Sequence, residues 1–178
     1  MNTKKMSGAR YIAEGAIIAA LYVVLTWVSS LFGLSSGVIQ FRISEALTIL
    51  PIFTPAAIPG LFVGCLISNI IAGGVIWDII FGSIATLIGA VGTRLLKNTK
   101  FVCTLPPVIS NMVIVPFVLR FAYGATDAWW FMVVTVGIGE AVCCIILGLL
   151  LKKALWKNRY VIFPASVEKM PENTTKAA

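Results

Sequence analysis

The chain has 178 residues, 59% of them hydrophobic and 12% charged, with 14 Lys and Arg against 7 Asp and Glu for a net charge of +7; its mean hydropathy is +0.97. A soluble domain carries about 45–50% apolar and about 25% charged residues, so an ordinary soluble fold is excluded. The composition predicts an all-α membrane protein, a six-transmembrane-helix bundle, because each span needs about 20 residues.

The first apolar run, residues 11–32, is too long for the core of a signal peptide and reads as a membrane span. Ala9, Ala13, Ala16 and Ala20 recur along one stripe of it. Such a stripe either lets neighbouring helices approach closely or forms a docking face for another membrane subunit. A Gly- and Ser-rich loop over residues 33–37 follows. A short second helix is expected over 44–54, with Pro51, Pro55 and Pro59 breaking up the stretch after it. The third helix is expected over 57–72, ended by Gly73 and Gly74. The fourth is expected over 77–96, the fifth over 106–121 with a kink at Pro116, and the sixth over 128–151. Gly64, Ser68 and Ala72 on the third helix, and Gly82, Thr86 and Ala90 on the fourth, are further close-packing faces. One domain is expected over residues 1–160, with a polar, disordered tail over 161–178.

The basic residues gather at helix ends, as topology signals do, so the positive charge does not point to nucleic acid. Lys4, Lys5 and Arg10 precede the first helix, Arg94, Lys97 and Lys100 follow the fourth, and Lys152, Lys153, Lys157 and Arg159 follow the sixth. Six spans place all three groups, and both termini, on the cytoplasmic side. Cys65, Cys103, Cys143 and Cys144 form no CxxC pair and read as buried packing residues rather than a disulfide framework or metal site. The absence of histidine removes the commonest general base and the serine–histidine–aspartate triad; with no room for a catalytic domain, the chain reads as a non-enzyme needing no cofactor.

The informative charges lie away from those basic groups: Arg42, Glu45, Asp78, Arg120, Asp127 and Glu140. An unpaired charge at the bilayer centre costs at least about 2.5–3.5 kcal/mol, so such residues pair, face the bundle interior or line a wet cavity. Asp127 falls in an outer loop and reads as solvated. Glu140 lies about 18 Å into the sixth helix at about 1.5 Å per residue, near the midplane. Glu45, Asp78 and Arg120 fall at outer helix ends, Gln40, Phe41 and Arg42 in the loop before the second helix, and Asn69 and Asn111 within the third and fifth. Together with Trp77 they outline a cavity that opens outward and narrows towards Glu140. Simpler roles are available to several of them. Arg42 and Glu45 can form an i, i+3 ion pair, Asp78 can favour the helix dipole, the asparagines can join helices, Glu140 can pair with Arg120, and Trp77, Trp129 and Trp130 can form an aromatic belt. As a site, the set suits a planar, polar, donor-rich or cationic molecule, with two parallel hydrogen bonds to a carboxylate and an aromatic ring to stack on.

The run Gln40-Phe41-Arg42-Ile43-Ser44-Glu45-Ala46-Leu47-Thr48, then Leu50-Pro51 and residues 54–61, resembles the QueT family of queuosine-precursor transporters. So do Asn69 with Gly73-Gly74, Trp77-Asp78 with Phe81-Gly82-Ser83, Asn111, and Gly139-Glu140. The resemblance implies an S component of an energy-coupling factor (ECF) importer: a six-helix subunit in the lipid bilayer that captures a 7-deazaguanine queuosine precursor or queuine from outside. It also implies partners, a transmembrane T subunit and two cytoplasmic ATPases, with docking through an Ala-x-x-x-Ala motif that Ala16 and Ala20 match, and a lid in the loop before Arg42. No P-loop occurs in the chain, so ATP hydrolysis would fall to the partners. The competing reading is a stand-alone, ion-coupled secondary transporter with Glu140 and Asp78 as a proton relay, against which no inverted repeat is evident.

Overall fold

The computed structural model describes residues 7–33 and 41–164, which are helical with no strand among them. Helix α1 runs Gly8–Leu31, a 3₁₀ helix follows at Ile43–Ile52, and then come α2 (Ala57–Ile71), α3 (Ile76–Leu95) and α4 (Leu105–Phe121, after a 3₁₀ turn at Val102–Thr104). Helix α5 (Trp129–Glu140) continues through a π-helical stretch, Ala141–Leu147, into α6 (Gly148–Trp156), and α7 is a single turn, Arg159–Ile162. Residues 34–40, which hold most of the expected loop and of the segment before Arg42, Gln40 included, lie outside the described residues, as does the tail from 165.

Four helical stretches are long and apolar enough to cross a membrane: Gly8–Leu31, Ile76–Leu95, Val102–Phe121 and Trp129–Trp156. The six-span expectation thus meets four segments of crossing length plus two shorter apolar helices. The surface explains the composition. Trp27, Phe32, Ile71, Leu95, Phe121 and Val161 are exposed, while Thr26, Ser44, Glu45, Asn69, Thr86 and Asn111 are buried. Lipid solvates the first group and cannot solvate the second.

Local chemistry sets the helix ends. The Ser7 hydroxyl accepts from the Arg10 N–H at the start of α1, an N-cap. Gly73, at φ 72°, ends α2 as expected, since glycine alone adopts that conformation freely; the Gly74 N–H then returns to the Asn69 carbonyl at 2.9 Å. The 3₁₀ helix departs from the expected α-helix. Ten residues are long for 3₁₀ geometry, which is usually confined to three or four, and every side chain from Ser44 to Ile52 is buried. The guanidinium of Arg94 donates to the carbonyls of Pro51 and Ile52 at 2.8 and 3.1 Å, satisfying acceptors that the interrupted helix leaves open.

Hydrogen bonds gather the basic groups at one end of the bundle. Arg10 pairs with Glu14 at 2.9 Å, Glu14 accepts from the Thr54 hydroxyl at 2.8 Å, Arg94 reaches Pro51, and Lys152 donates to the Lys100 carbonyl at 3.2 Å. The aromatic core lies towards that end: Phe53 is fully buried and stacks on Phe163 at 5.5 Å, so side chains beyond residue 160 join the packing.

Helices α1 and α2 meet through glycine. A Cβ on Gly60 would lie 2.6 Å from the Gly15 carbonyl oxygen, and one on Gly64 would lie 2.8 Å from the Tyr22 Cβ. Gly15, Ile18, Ala19 and Tyr22 form the inward face of α1, whereas Ala9, Ala13, Ala16 and Ala20 are exposed. Among the described residues the alanine stripe therefore lies on the exposed side of α1, away from its packed face. Gly60→Ala is expected to destabilise the protein by about 1–3 kcal/mol through overpacking, read as a lower Tm in detergent. Gly8→Ala, with nothing within 4 Å of its Cβ, is expected to leave Tm unchanged or raise it slightly.

Candidate binding site

Glu45 is the centre of the polar interior. It sits near the start of the buried 3₁₀ helix and is 2% exposed. Its Oε1 accepts from the Tyr22 hydroxyl of α1, and Tyr22 is itself fully buried. Its Oε2 has no hydrogen-bond partner among the described residues. The sequence reading did not include Tyr22, because an aromatic in an apolar span looks like any lipid-facing ring. Its one distinguishing signal was its place on the Gly15–Ala19 stripe, three residues after Ala19.

Glu140 ends α5, where the π stretch begins. Inside an α-helix such a stretch re-aims the side chains that follow and often marks a functional site. Within it the Cys144 thiol lies 3.3 Å from Glu140 Oε2 and 3.6 Å from the Glu45 carbonyl oxygen. Glu45, Glu140 and Cys144 each present a ligand atom within 4.8 Å of the others, the grouping with metal-ligand spacing among the described residues. Cys144 thus does more than the packing role expected of it, although its sulfur already accepts from the Thr48 hydroxyl at 3.6 Å.

Arg42 and Glu45 do not form the i, i+3 ion pair; among the described residues the ion pair within 4 Å is Arg10–Glu14. The Arg42 guanidinium instead donates to Asn69 Oδ1 at 3.3 Å. Arg120 does not reach Glu140 either: it is exposed and donates to the Asp127 carbonyl at 3.1 Å. Asp78, in the first turn of α3, accepts from the Tyr123 hydroxyl at 3.0 Å. Gly82 leaves room beside it, since a Cβ there would lie 3.1 Å from Asn69 Nδ2 and 3.3 Å from Asp78 Oδ1.

These residues enclose two adjoining spaces. The outer one, a vestibule of about 530 Å³, is lined by Arg42, Asn69, Gly73, Gly74, Asp78 and Tyr123 among others. The inner one, of about 30 Å³, is lined by Arg42, Glu45, Asp78, Thr86, Asn111 and Glu140 among others. Arg42, Asp78 and Val115 line both. The structure thus brings together Arg42, Glu45, Asn69, Asp78, Asn111 and Glu140. It does not bring in Phe41, which lines neither space, or Trp77. Trp77 follows Ile76 at the start of α3, one residue from the inward Asp78 and so about 100° round the helix. It is 56% exposed, stacks on Phe81 at 6.0 Å and lines an apolar outer groove with Phe117 and Phe121. The aromatic side chain that does face the vestibule is Tyr123.

A family model described as QueT transporter matches residues 12–157, a stretch that includes every residue lining the two polar spaces. The relative named queuosine precursor transporter QueT, from Lactococcus lactis subsp. cremoris (strain MG1363), is 43% identical over 85 residues, which cover 47% of this chain and 49% of that protein. The aligned stretch therefore spans about half the relative's length. No solved structure matches the chain significantly. With an all-helical, apolar-surfaced bundle and a family match over most of its length, the chain belongs to the QueT transporter family, a family of membrane transporters and not of enzymes.

Proposed function

We propose that this transporter is the substrate-capturing S component of an ECF-type importer and that it takes a queuosine precursor, a 7-deazaguanine, from outside the cell. On this reading the two shorter helices count with the four long ones as a six-helix bundle. The basic end of the bundle, with both termini, faces the cytoplasm. Arg42, Glu45, Asn69, Asp78, Asn111 and Glu140 bind the ligand.

The observation that carries the reading is Glu45 Oε2, an acceptor buried inside a lipid-facing bundle with no hydrogen-bond partner among the described residues, at the base of a cavity whose mouth lies away from the basic end. Burying a polar group without a partner is costly, and a donor-rich ligand edge removes that cost. The outward alanine stripe supports a second part of the reading: small side chains exposed on a membrane helix let another helix approach closely, so Ala16 and Ala20 are the contact to a T subunit, with two cytoplasmic ATPases driving transport.

Calorimetric titration of the detergent-purified chain alone, without ATP or an ion gradient, is expected to detect binding of a 7-deazaguanine. Absence of binding in a folded preparation would overturn the reading. Glu140→Gln is expected to weaken that binding about 10–100-fold, the range for removing one charged partner of a buried hydrogen bond, while an unchanged affinity would take Glu140 out of the site.

Ala16→Trp combined with Ala20→Trp is expected to leave binding by the isolated chain intact and to abolish uptake in cells. Uptake that persists in this variant, or after deletion of the ATPases, would point instead to an ion-coupled secondary transporter.

A further inference from the structure

The geometry points to a binding site for one soft divalent cation of the zinc class, held by Glu45, Glu140 and Cys144 at the inner end of the polar interior. Each of the three offers a ligand atom within 4.8 Å of the other two. Zinc takes carboxylate oxygen at about 2.0–2.2 Å and sulfur at about 2.3 Å, so neighbouring ligands on a tetrahedral ion stand about 3.4–3.6 Å apart. Glu140 Oε2 and Cys144 Sγ, at 3.3 Å, are already near that spacing, and a short side-chain rotation brings in the third ligand. A second observation is independent of the spacing. Glu45 is 2% exposed, and its Oε2 has no hydrogen-bond partner among the described residues. Its other oxygen accepts from Tyr22, the kind of outer partner that orients a ligating carboxylate. The cavity that Glu45 and Glu140 line, about 30 Å³, exceeds the roughly 10–15 Å³ that one water requires, which leaves room for a water as the fourth ligand.

The donor set selects the class of ion. Calcium takes about 6–8 oxygen ligands and magnesium keeps an octahedral shell with several waters, whereas three protein ligands including a sulfur and one open position suit zinc or cadmium. Charge closes as well. The ion displaces the thiol proton of Cys144 to solvent, leaving two carboxylates and a thiolate against the divalent ion and the Arg42 guanidinium, which borders the same cavity. The cluster is then neutral as a whole, as a site inside lipid requires. Because Glu45 and Glu140 are also ligand residues in the proposed function, the ion and a 7-deazaguanine exclude each other. That consequence rests on the proposed function; the metal site does not.

The test is titration of the reduced, chelator-stripped chain in detergent with cadmium chloride, followed by calorimetry and by the sulfur-to-cadmium charge-transfer absorption. One ion per chain is expected, with the absorption of a single thiolate, and an excess of magnesium is expected not to displace it. Cys144→Ser and Glu140→Gln are each expected to weaken binding by at least about 10-fold, since even outer partners of a metal ligand cost about 10–100-fold. Cys144→Ser is expected to abolish the absorption, while Cys143→Ser, the neighbouring thiol outside the cluster, leaves it intact. Should Cys144→Ser fail to fold, judged by its Tm, cadmium NMR of the wild-type chain decides the ligand set. A resonance of one sulfur among oxygens supports the site, and one of two or more sulfurs overturns it. No binding, or binding that survives in Cys144→Ser, would also overturn the inference. Saturating cadmium is expected to weaken 7-deazaguanine binding at least roughly 10-fold, the loss that follows when competing ion exceeds its own Kd about tenfold. Cadmium bound at one site without effect on 7-deazaguanine affinity would overturn the shared cavity. Cadmium binding as described, with no 7-deazaguanine bound by the metal-free chain, would overturn the proposed function and leave the metal site standing.

Discussion

The arrangement of this bundle follows from one constraint: a carboxylate, Glu45, buried in a protein whose solvent is lipid. A charged or polar side chain in that setting persists only where the chain supplies partners. Tyr22 supplies one, from an α1 that also lies close against α2. That closeness depends on glycine. Gly60 lets the Gly15 backbone approach, and Gly64 lies where any side chain would meet Tyr22. The seam between the first two α-helices thus backs the residue that holds Glu45, although none of its glycines lines either polar space.

The 3₁₀ helix is the second consequence. It carries Glu45 and is buried along nearly its whole length, with the other helices around it as its solvent. The carbonyls of Pro51 and Ile52 at its end take hydrogen bonds from Arg94, a basic residue whose position in the sequence fits a topology signal equally well. One guanidinium thereby serves two ends, closing the central helix and marking one face of the bundle.

The division of the chain into helices was legible in the sequence because lipid demands long apolar runs, and glycine pairs such as Gly73-Gly74 end them. Most of the polar site was legible for the same reason: Glu45, Asn69, Asp78, Asn111 and Glu140 stand out against an apolar background. What could not be read was direction. Trp77 and Asp78 are adjacent, and only the rotation of α3 decides that the acid faces inward and the indole outward. Tyr22 and Tyr123 carry their chemistry on apolar rings, so hydropathy does not distinguish them from lipid-facing aromatics. The 3₁₀ and π stretches depart from the 3.6-residue period on which pattern reading depends. Cys144 lies four residues after Glu140, a spacing that puts the two side chains on one helix face.

Helix α1 combines two requirements that a soluble helix rarely has to meet together. Its Gly15–Ala19 face is small so that α2 can approach, and its Ala9–Ala13–Ala16–Ala20 face is small although it is exposed among the described residues. In lipid, a bulky apolar side chain on that outer face would have no disadvantage within the monomer, as Ile12, Ile17 and Leu21 beside it demonstrate. Packing within the chain therefore explains the first stripe and leaves the second unexplained. Close approach by another membrane helix explains both with the same physics, dispersion contact recovered at short interhelical distance. Tyr22 belongs to the inner face of this helix and holds Glu45. Any shift of α1 imposed by a partner on its outer face would consequently be felt at the carboxylate, which couples the proposed docking surface to the ligand site through a single rigid helix.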